Sequence, residues 1–341
     1  MLTAAERSQL ETFFYSGRFA ELEDYARLIL AQYPESGFIW NALGLSLQMQ
    51  GKDGVAALQR ATELLPDDAD MHCKLGNALS DRNRLNEAEA SYRRALEIRH
   101  DYAEIHNNLG ITLKGLGRLD EAVASYRRAL EIKPDYAEAY SNLASALMEL
   151  RRLGEAEASY RQAMEIKPNY AVAHSNLASA LMELGRLDEA EASYWRALEI
   201  YPDFAEAHCN LGNILWLLRR LDEAENHFRR AMEIKPELAV AYSNLGGLLK
   251  DQGKLDEALA NFQQCEILAP GNAEIQHQIA SLTRINTDRA PIQYVVSLFD
   301  TYAYKFDSHL QQALKYEIPK KIVALITQHA TLPNEKWNVL D

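Results

Sequence analysis

Residues 117–150 read GRLDEAVASYRRALEIKPDYAEAYSNLASALMEL, and this stretch decides the fold. Its opening, GRLDEA, supplies a break and an acidic N-cap at Asp120. Its central KPD supplies a stop and the next cap, Asp135. Two short helices joined by tight turns are the expected result.

The same pattern returns along the chain. Prolines stand at Pro66, Pro134, Pro168, Pro202, Pro236 and Pro270, with His100 filling the one gap in a series of step 34. Taking position 1 as the third residue after each proline, units begin at 69, 103, 137, 171, 205 and 239. A unit two residues shorter begins at 37 and a diverged one near 3. About eight units follow: 3–36, 37–68, 69–102, 103–136, 137–170, 171–204, 205–238 and 239–272.

Within the six regular units position 7 is always Leu, position 8 is Gly or Ala, and position 20 is always Ala. Position 24 is aromatic (Tyr92, Tyr126, Tyr160, Tyr194, Phe228, Phe262), and position 27 is Ala five times and then Cys265. Small residues let two helices approach closely, and the ring fills the space left between units.

This recurrent spacing resembles the tetratricopeptide repeat family over roughly residues 3–286. The resemblance implies an all-α fold, a right-handed α-solenoid of helix-turn-helix units in which the first helix of each unit lines a concave face. Residues 273–286 are then expected to form one further helix that caps the stack.

Composition agrees with a helical array. Ala, Leu and Glu are abundant, and 16 Gly and 10 Pro in 341 residues leave long stretches unbroken. Thirty-six basic and 49 acidic residues give a net charge of −13, which argues against a nucleic-acid partner. The start, MLTAAERSQLETFF, has no basic and apolar leader, and no later run approaches bilayer length, so a cytoplasmic protein without membrane association is expected. Cys73, Cys209 and Cys265 are too few and too far apart for a disulfide framework.

His72, His106, His174 and His208 all fall at position 4, where Trp40, Tyr140 and Tyr242 also sit. They belong to different units, so packing is expected of them and not metal binding. No Cys-His pair is visible, and no catalytic residue is assigned. Position 6 is Asn in five consecutive units: Asn108, Asn142, Asn176, Asn210 and Asn244. A side-chain amide offers donor and acceptor together, so such a series suits the backbone of an extended peptide, with one amide per unit and no dominant residue. The arrangement is similar to the asparagine ladder of O-linked N-acetylglucosamine transferase repeats. A local structural role for these asparagines is the other reading.

Position 12 runs Ser80, Lys114, Met148, Met182, Trp216, Lys250, an apolar centre between lysines. Acids at positions 2 and 13 (Glu104, Glu138, Glu206, Asp81, Glu149, Glu183, Asp251) would edge the groove and favour apolar and basic ligands. The lysine pattern of chaperone carboxylate-clamp repeats is not met, because position 5 holds Cys73, Asn107, Ser141, Ser175, Cys209 and Ser243. Paired arginines such as Arg93/Arg94 and Arg127/Arg128 lie on the second helix beside acids and read as a solvated outer face.

After TRINTDRAP the register stops. The segment 287–341, with LFDTYAYKFDSHL at 298–310 and WNVLD at its end, resembles the opening segment of class I S-adenosylmethionine-dependent methyltransferases found fused behind tetratricopeptide arrays. Asp341 matches the acidic residue that opens the family's glycine-rich cofactor motif, and the glycine turn itself does not follow. The resemblance implies a fragment of a longer protein, with an incomplete cofactor site and no S-adenosylmethionine bound by this chain alone. A plain helical cap with a loose tail is the alternative for 291–341.

The function expected is a scaffold that binds a protein or extended peptide in its groove, the recruitment module of a larger methyltransferase and not itself an enzyme. The alternative is an enzyme fragment whose repeats serve assembly only. A glycosyltransferase attachment finds no support in the downstream residues.

Overall fold

The computed structural model describes residues 2–283. Among them are seventeen helices and no strand. The chain divides into two compact units, Met1–Leu218 and Arg219–Asp341. The first holds α1 (Ala4–Tyr15), α2 (Phe19–Leu30), α3 (Gly37–Met49), α4 (Val55–Leu64), α5 (Ala69–Asp81), α6 (Leu85–Ile98), α7 (Ala103–Gly115), α8 (Leu119–Ile132), α9 (Ala137–Glu149), α10 (Leu153–Ile166), α11 (Ala171–Glu183), α12 (Leu187–Ile200) and α13 (Ala205–Leu217). The second holds α14 (Leu221–Ile234), α15 (Ala239–Asp251), α16 (Leu255–Leu268) and α17 (Ala273–Leu282) over its described residues. The fold is an all-α solenoid of helix pairs that keep the register of the sequence.

Each regular pair turns at position 15, which takes the left-handed conformation whatever its residue: φ is 56° at Asn83, 75° at Gly117, 59° at Arg151 and 75° at Gly185. At Gly117 the turn is closed by bonds from its N–H to Lys114 O and from Arg118 N–H to Leu113 O, both 2.9 Å.

This turn overrides the cap expected at Asp120, and the cap expected at Asp135 falls one residue later. Asp120 lies within the first turn of α8, whose N-cap is Arg118 with no side-chain cap bond. Tyr136, not Asp135, is the N-cap of α9. The left-handed residue delivers the chain into the helix two residues early, so the acid at position 19 interacts with the helix start instead. Glu121 accepts from Nε and Nη2 of Arg118 at 2.7 and 2.6 Å, and its charge sits favourably at the helix N-terminus. Side-chain capping of the sort expected occurs at Asp68 and Asn272, which begin α5 and α17.

The core runs between the two helices of each pair. Tyr92, Tyr126, Tyr160 and Tyr194 are buried, as are the alanines at positions 20 and 27. The small residue at position 8 lies against the ring: a Cβ added to Gly110 would stand 2.6 Å from Cε1 of Tyr126. In the next two units Ala144 and Ala178 occupy that place, both fully buried.

The second helices are joined by an ordered set of ion pairs, where the sequence suggested a merely solvated face. Arg118 reaches back to Glu89 and Arg186 to Glu157, each at 2.7 Å, and Lys52 reaches Glu23 at 2.8 Å. Arg93 and Arg161 meet the same Glu89 and Glu157 carboxylates from within their own helices. In the second compact unit Lys254 reaches Glu225 at 3.2 Å.

In residues 2–218 the first helices also meet one another: α5 with α7, α7 with α9, α9 with α11, α11 with α13. That closer approach places them on the inner side of a curved stack. No helix among the described residues is long and apolar enough to cross a membrane.

Candidate ligand-binding face on the first helices

One residue of advance along a helix separates a buried position from a half-buried one. Asn107, Ser141, Ser175 and Cys209 at position 5 are buried, whereas Asn108, Asn142, Asn176 and Asn210 at position 6 are half-buried. The series therefore lies at the edge of the inter-unit packing and reaches solvent on one side.

Several of these amides also bond within the protein. Asn108 Nδ2 donates to Asn77 Oδ1 at 3.0 Å, and Asn142 Nδ2 donates to Asn107 Oδ1 at 3.0 Å. Asn107 Nδ2 donates in turn to Asn108 Oδ1 at 3.3 Å, and the Tyr92 hydroxyl donates to Asn77 Oδ1 at 2.6 Å. Asn210 hydrogen-bonds the Tyr194 hydroxyl, which also meets Ser179 Oγ at 2.7 Å. A local structural role is thus filled at Asn108, Asn142 and Asn210.

Position 12 is mixed. Met148, Met182 and Trp216 are half-buried. Lys114 is tied into the next unit, with Nζ 2.7 Å from Ser145 Oγ and 2.9 Å from Glu149. In the second compact unit Asn244 is half-buried and Lys250 donates to Gln278 Oε1 at 2.7 Å.

Four acids along this face have basic partners, Glu149 with Lys114 among them. Glu104 pairs with Lys133 at 3.5 Å, Glu138 with Lys167 at 3.0 Å and Glu183 with Arg151 at 2.5 Å. The Lys167 ammonium also lies 4.7 Å from the centre of the Tyr170 ring. The carboxyl of Glu138 lies below its ordinary value, chiefly through the hydrogen bond from Lys167. An acidic rim attracting basic ligands is therefore weaker than the sequence suggests.

The histidines of position 4 have a structural partner. His72, His106, His174 and His208 each place Nε2 2.9–3.0 Å from the carbonyl of the residue six earlier, and Trp40 Nε1 donates to Pro34 O in the same way at 2.7 Å. Among the described residues no group of three or more His, Cys, Asp or Glu is placed to hold a metal. Burial pushes the Cys73 thiol up to about 11, with Asp70 adding to the effect, so it is no thiolate nucleophile at neutral pH. Asp341 and the segment around it lie outside the described residues.

Sequence reasoning missed Asn77 and Asn107 as members of this face. A signal existed: Asn107 departs from the Ser and Cys of its neighbours at position 5, directly beside Asn108.

Comparison with known proteins places this geometry. A family model described as TPR repeat matches residues 76–117 and 113–150, and one described as Tetratricopeptide repeat matches 135–203, 169–237 and 203–269. Together they span more than half of the 341 residues. No curated protein matches the chain. Among solved structures, PilF of Pseudomonas aeruginosa is similar at 21% identity and a TM-score of 0.56, over 62% of this chain and 97% of that one. The Cut9–Hcn1 assembly of APC/C gives 14% identity and a TM-score of 0.61, over 81% of this chain and 55% of that one. A thermophilic TPR protein of Thermus thermophilus, TTC0263, gives 26% identity and a TM-score of 0.47, over 54% of this chain and all of that one.

Proposed function

Because the chain belongs to the tetratricopeptide repeat family, we propose that it is a protein-interaction scaffold whose first helices bind an extended segment of a partner protein. One observation carries this reading. Along α7, α9, α11 and α13 the first helices stack in contact and present half-buried asparagines at position 6, and half-buried Met148, Met182 and Trp216 at position 12. Such a face offers main-chain recognition by amides and adaptable apolar contact by Met148, Met182 and Trp216.

The test is crosslinking. Peptides selected from a random library against the 341-residue chain, and carrying a photoreactive group, should label the first helices between 103 and 217. Labelling confined to the arginine-bearing second helices would overturn the proposal.

A second reading concerns the parent protein. The run LFDTYAYKFDSHL at 298–310 supports a chain that continues into a class I S-adenosylmethionine-dependent methyltransferase, with the repeats as its recruitment module. Calorimetry with S-adenosylmethionine should show no binding to residues 1–341 and clear binding to a protein extended through a complete methyltransferase domain. Tight binding to residues 1–341 alone, or a gene that continues without a glycine-rich turn, would remove this second reading.

A further inference from the structure

The four position-6 asparagines of residues 2–218 are not equivalent. The amides of Asn108, Asn142 and Asn210 are engaged with Asn77, Asn107 and Tyr194. The side-chain amide of Asn176 makes no hydrogen bond within the described residues, and it is half-buried. The cause lies in the preceding unit. Where Asn142 finds the long amide of Asn107, Asn176 faces the shorter Ser141 at the same register. Ser145, at the register where Asn108 finds Asn77, already accepts from Lys114 and bonds Tyr160.

The same unit departs from its neighbours a second time. Position 2 pairs with position 31 as Asp70–Arg99 at 2.6 Å, Glu104–Lys133 at 3.5 Å and Glu138–Lys167 at 3.0 Å. In 171–204 these positions are Val172 and Tyr201, 44% and 53% exposed, and Tyr201 lies beside Phe204 with ring centres 5.8 Å apart. Val172 is four residues before Asn176 on α11, hence on the same side of the helix. An ion pair has been exchanged for exposed apolar surface next to the one amide of these four that has no partner among the described residues.

We propose that α11 is where the ligand is read. Asn176 pairs with a main-chain peptide group of an extended segment, its N–H donating to the carbonyl and its carbonyl accepting the N–H, while Val172, one turn away, takes an apolar side chain. The nearby acids Glu138, Glu149 and Glu183 already have Lys167, Lys114 and Arg151 as partners. The segment that fits is therefore neutral and apolar at this point, not basic. This rests on the first helices being the binding face.

The experiment measures affinity and melting temperature together, on the full chain, with a peptide selected from the same random library. Asn176→Ala should weaken binding about tenfold and leave the melting temperature unchanged. Val172→Glu should weaken it by at least as much. Asn142→Ala, which breaks the bond to Asn107, should lower the melting temperature. If the peptide crosslinks to the first helices but tolerates both Asn176→Ala and Val172→Glu, the assignment to α11 is wrong and the binding face stands. If it labels only the second helices, the binding face is wrong and the assignment falls with it.

Discussion

The side-chain amide of Asn142 donates to Oδ1 of Asn107 at 3.0 Å, joining two consecutive units through residues 35 apart in sequence. Asn107 passes the bond on to Asn108, and Asn108 to Asn77, where the Tyr92 hydroxyl also donates. Asn107 is only 4% exposed, so its two amide bonds satisfy groups that packing has removed from solvent. A residue type that recurs at the surface register of the repeat therefore also holds the repeat together.

Removing one link should have a measurable cost. Asn142→Ala leaves Oδ1 of Asn107 buried without a donor, which should destabilise the protein by about 1–3 kcal/mol in urea unfolding. Asn176→Ala, which breaks no internal bond, should change stability by less than about 0.5 kcal/mol. Equal losses for the two variants would show that the amide chain contributes nothing to stability.

Close packing at the small positions gives a second expectation. Ala190, at position 20 of its unit, is fully buried. Ala190→Leu should overpack this unit and cost about 1–3 kcal/mol in the same assay, with far-ultraviolet dichroism still wholly helical in type. A neutral effect would mean that the helix pairs are looser than their burial implies.

The parts of this fold that were legible in the sequence are those that packing imposes on every unit. Leu at position 7, small residues at 8 and 20 and a ring at 24 repeat because each unit must present the same surface to the next, so helix pairs and core could be read directly. The caps could not. Asp120 is a good local N-cap signal, yet the left-handed turn at Gly117 places Arg118 at the cap and moves the acid inside the helix. The amide chain was hidden for a different reason: whether Asn142 reaches a partner depends on the length of the side chain at Asn107, and whether Asn176 lacks one depends on Ser141. Such reach between units leaves no periodic trace, only the exceptions to the period. The lead-in at 287–341 with Asp341, and the last residues of the segment expected as a capping helix to 286, lie outside the described residues.

The turn at position 15 ranks substitutions by backbone conformation alone. Gly117 has φ 75°, and nothing lies within 4 Å of where its Cβ would stand, so a side chain there meets strain and no clash. Gly117→Ala should cost about 1 kcal/mol and Gly117→Asn less, because asparagine tolerates the left-handed region and Asn83 occupies it in an earlier unit at φ 56°. Chemical denaturation of the two variants against the parent gives the order; an alanine variant as stable as the asparagine one would refute the account.

The ion pairs between second helices should make stability fall in acid. Burial draws the Glu157 carboxyl upward, but hydrogen bonds from Arg161 and Arg186 outweigh it, and the group lies below the ordinary value of 4.5. Glu225 is lowered against its burial by Lys254 and Arg229, and Glu23 is lowered first by its bond from Lys52. A carboxyl depressed in the folded state binds its proton more readily in the unfolded one. Its contribution is therefore complete above the unfolded value and is lost as pH falls through the folded value. The melting temperature should be level near neutral pH and drop below about pH 4.5. Glu157→Gln should melt lower than the parent at about pH 7 and fall less steeply in acid, so that the two curves approach each other. Parallel curves throughout the acid range would show that Glu157 has the same affinity for its proton folded and unfolded, and that the arginines around it contribute nothing specific.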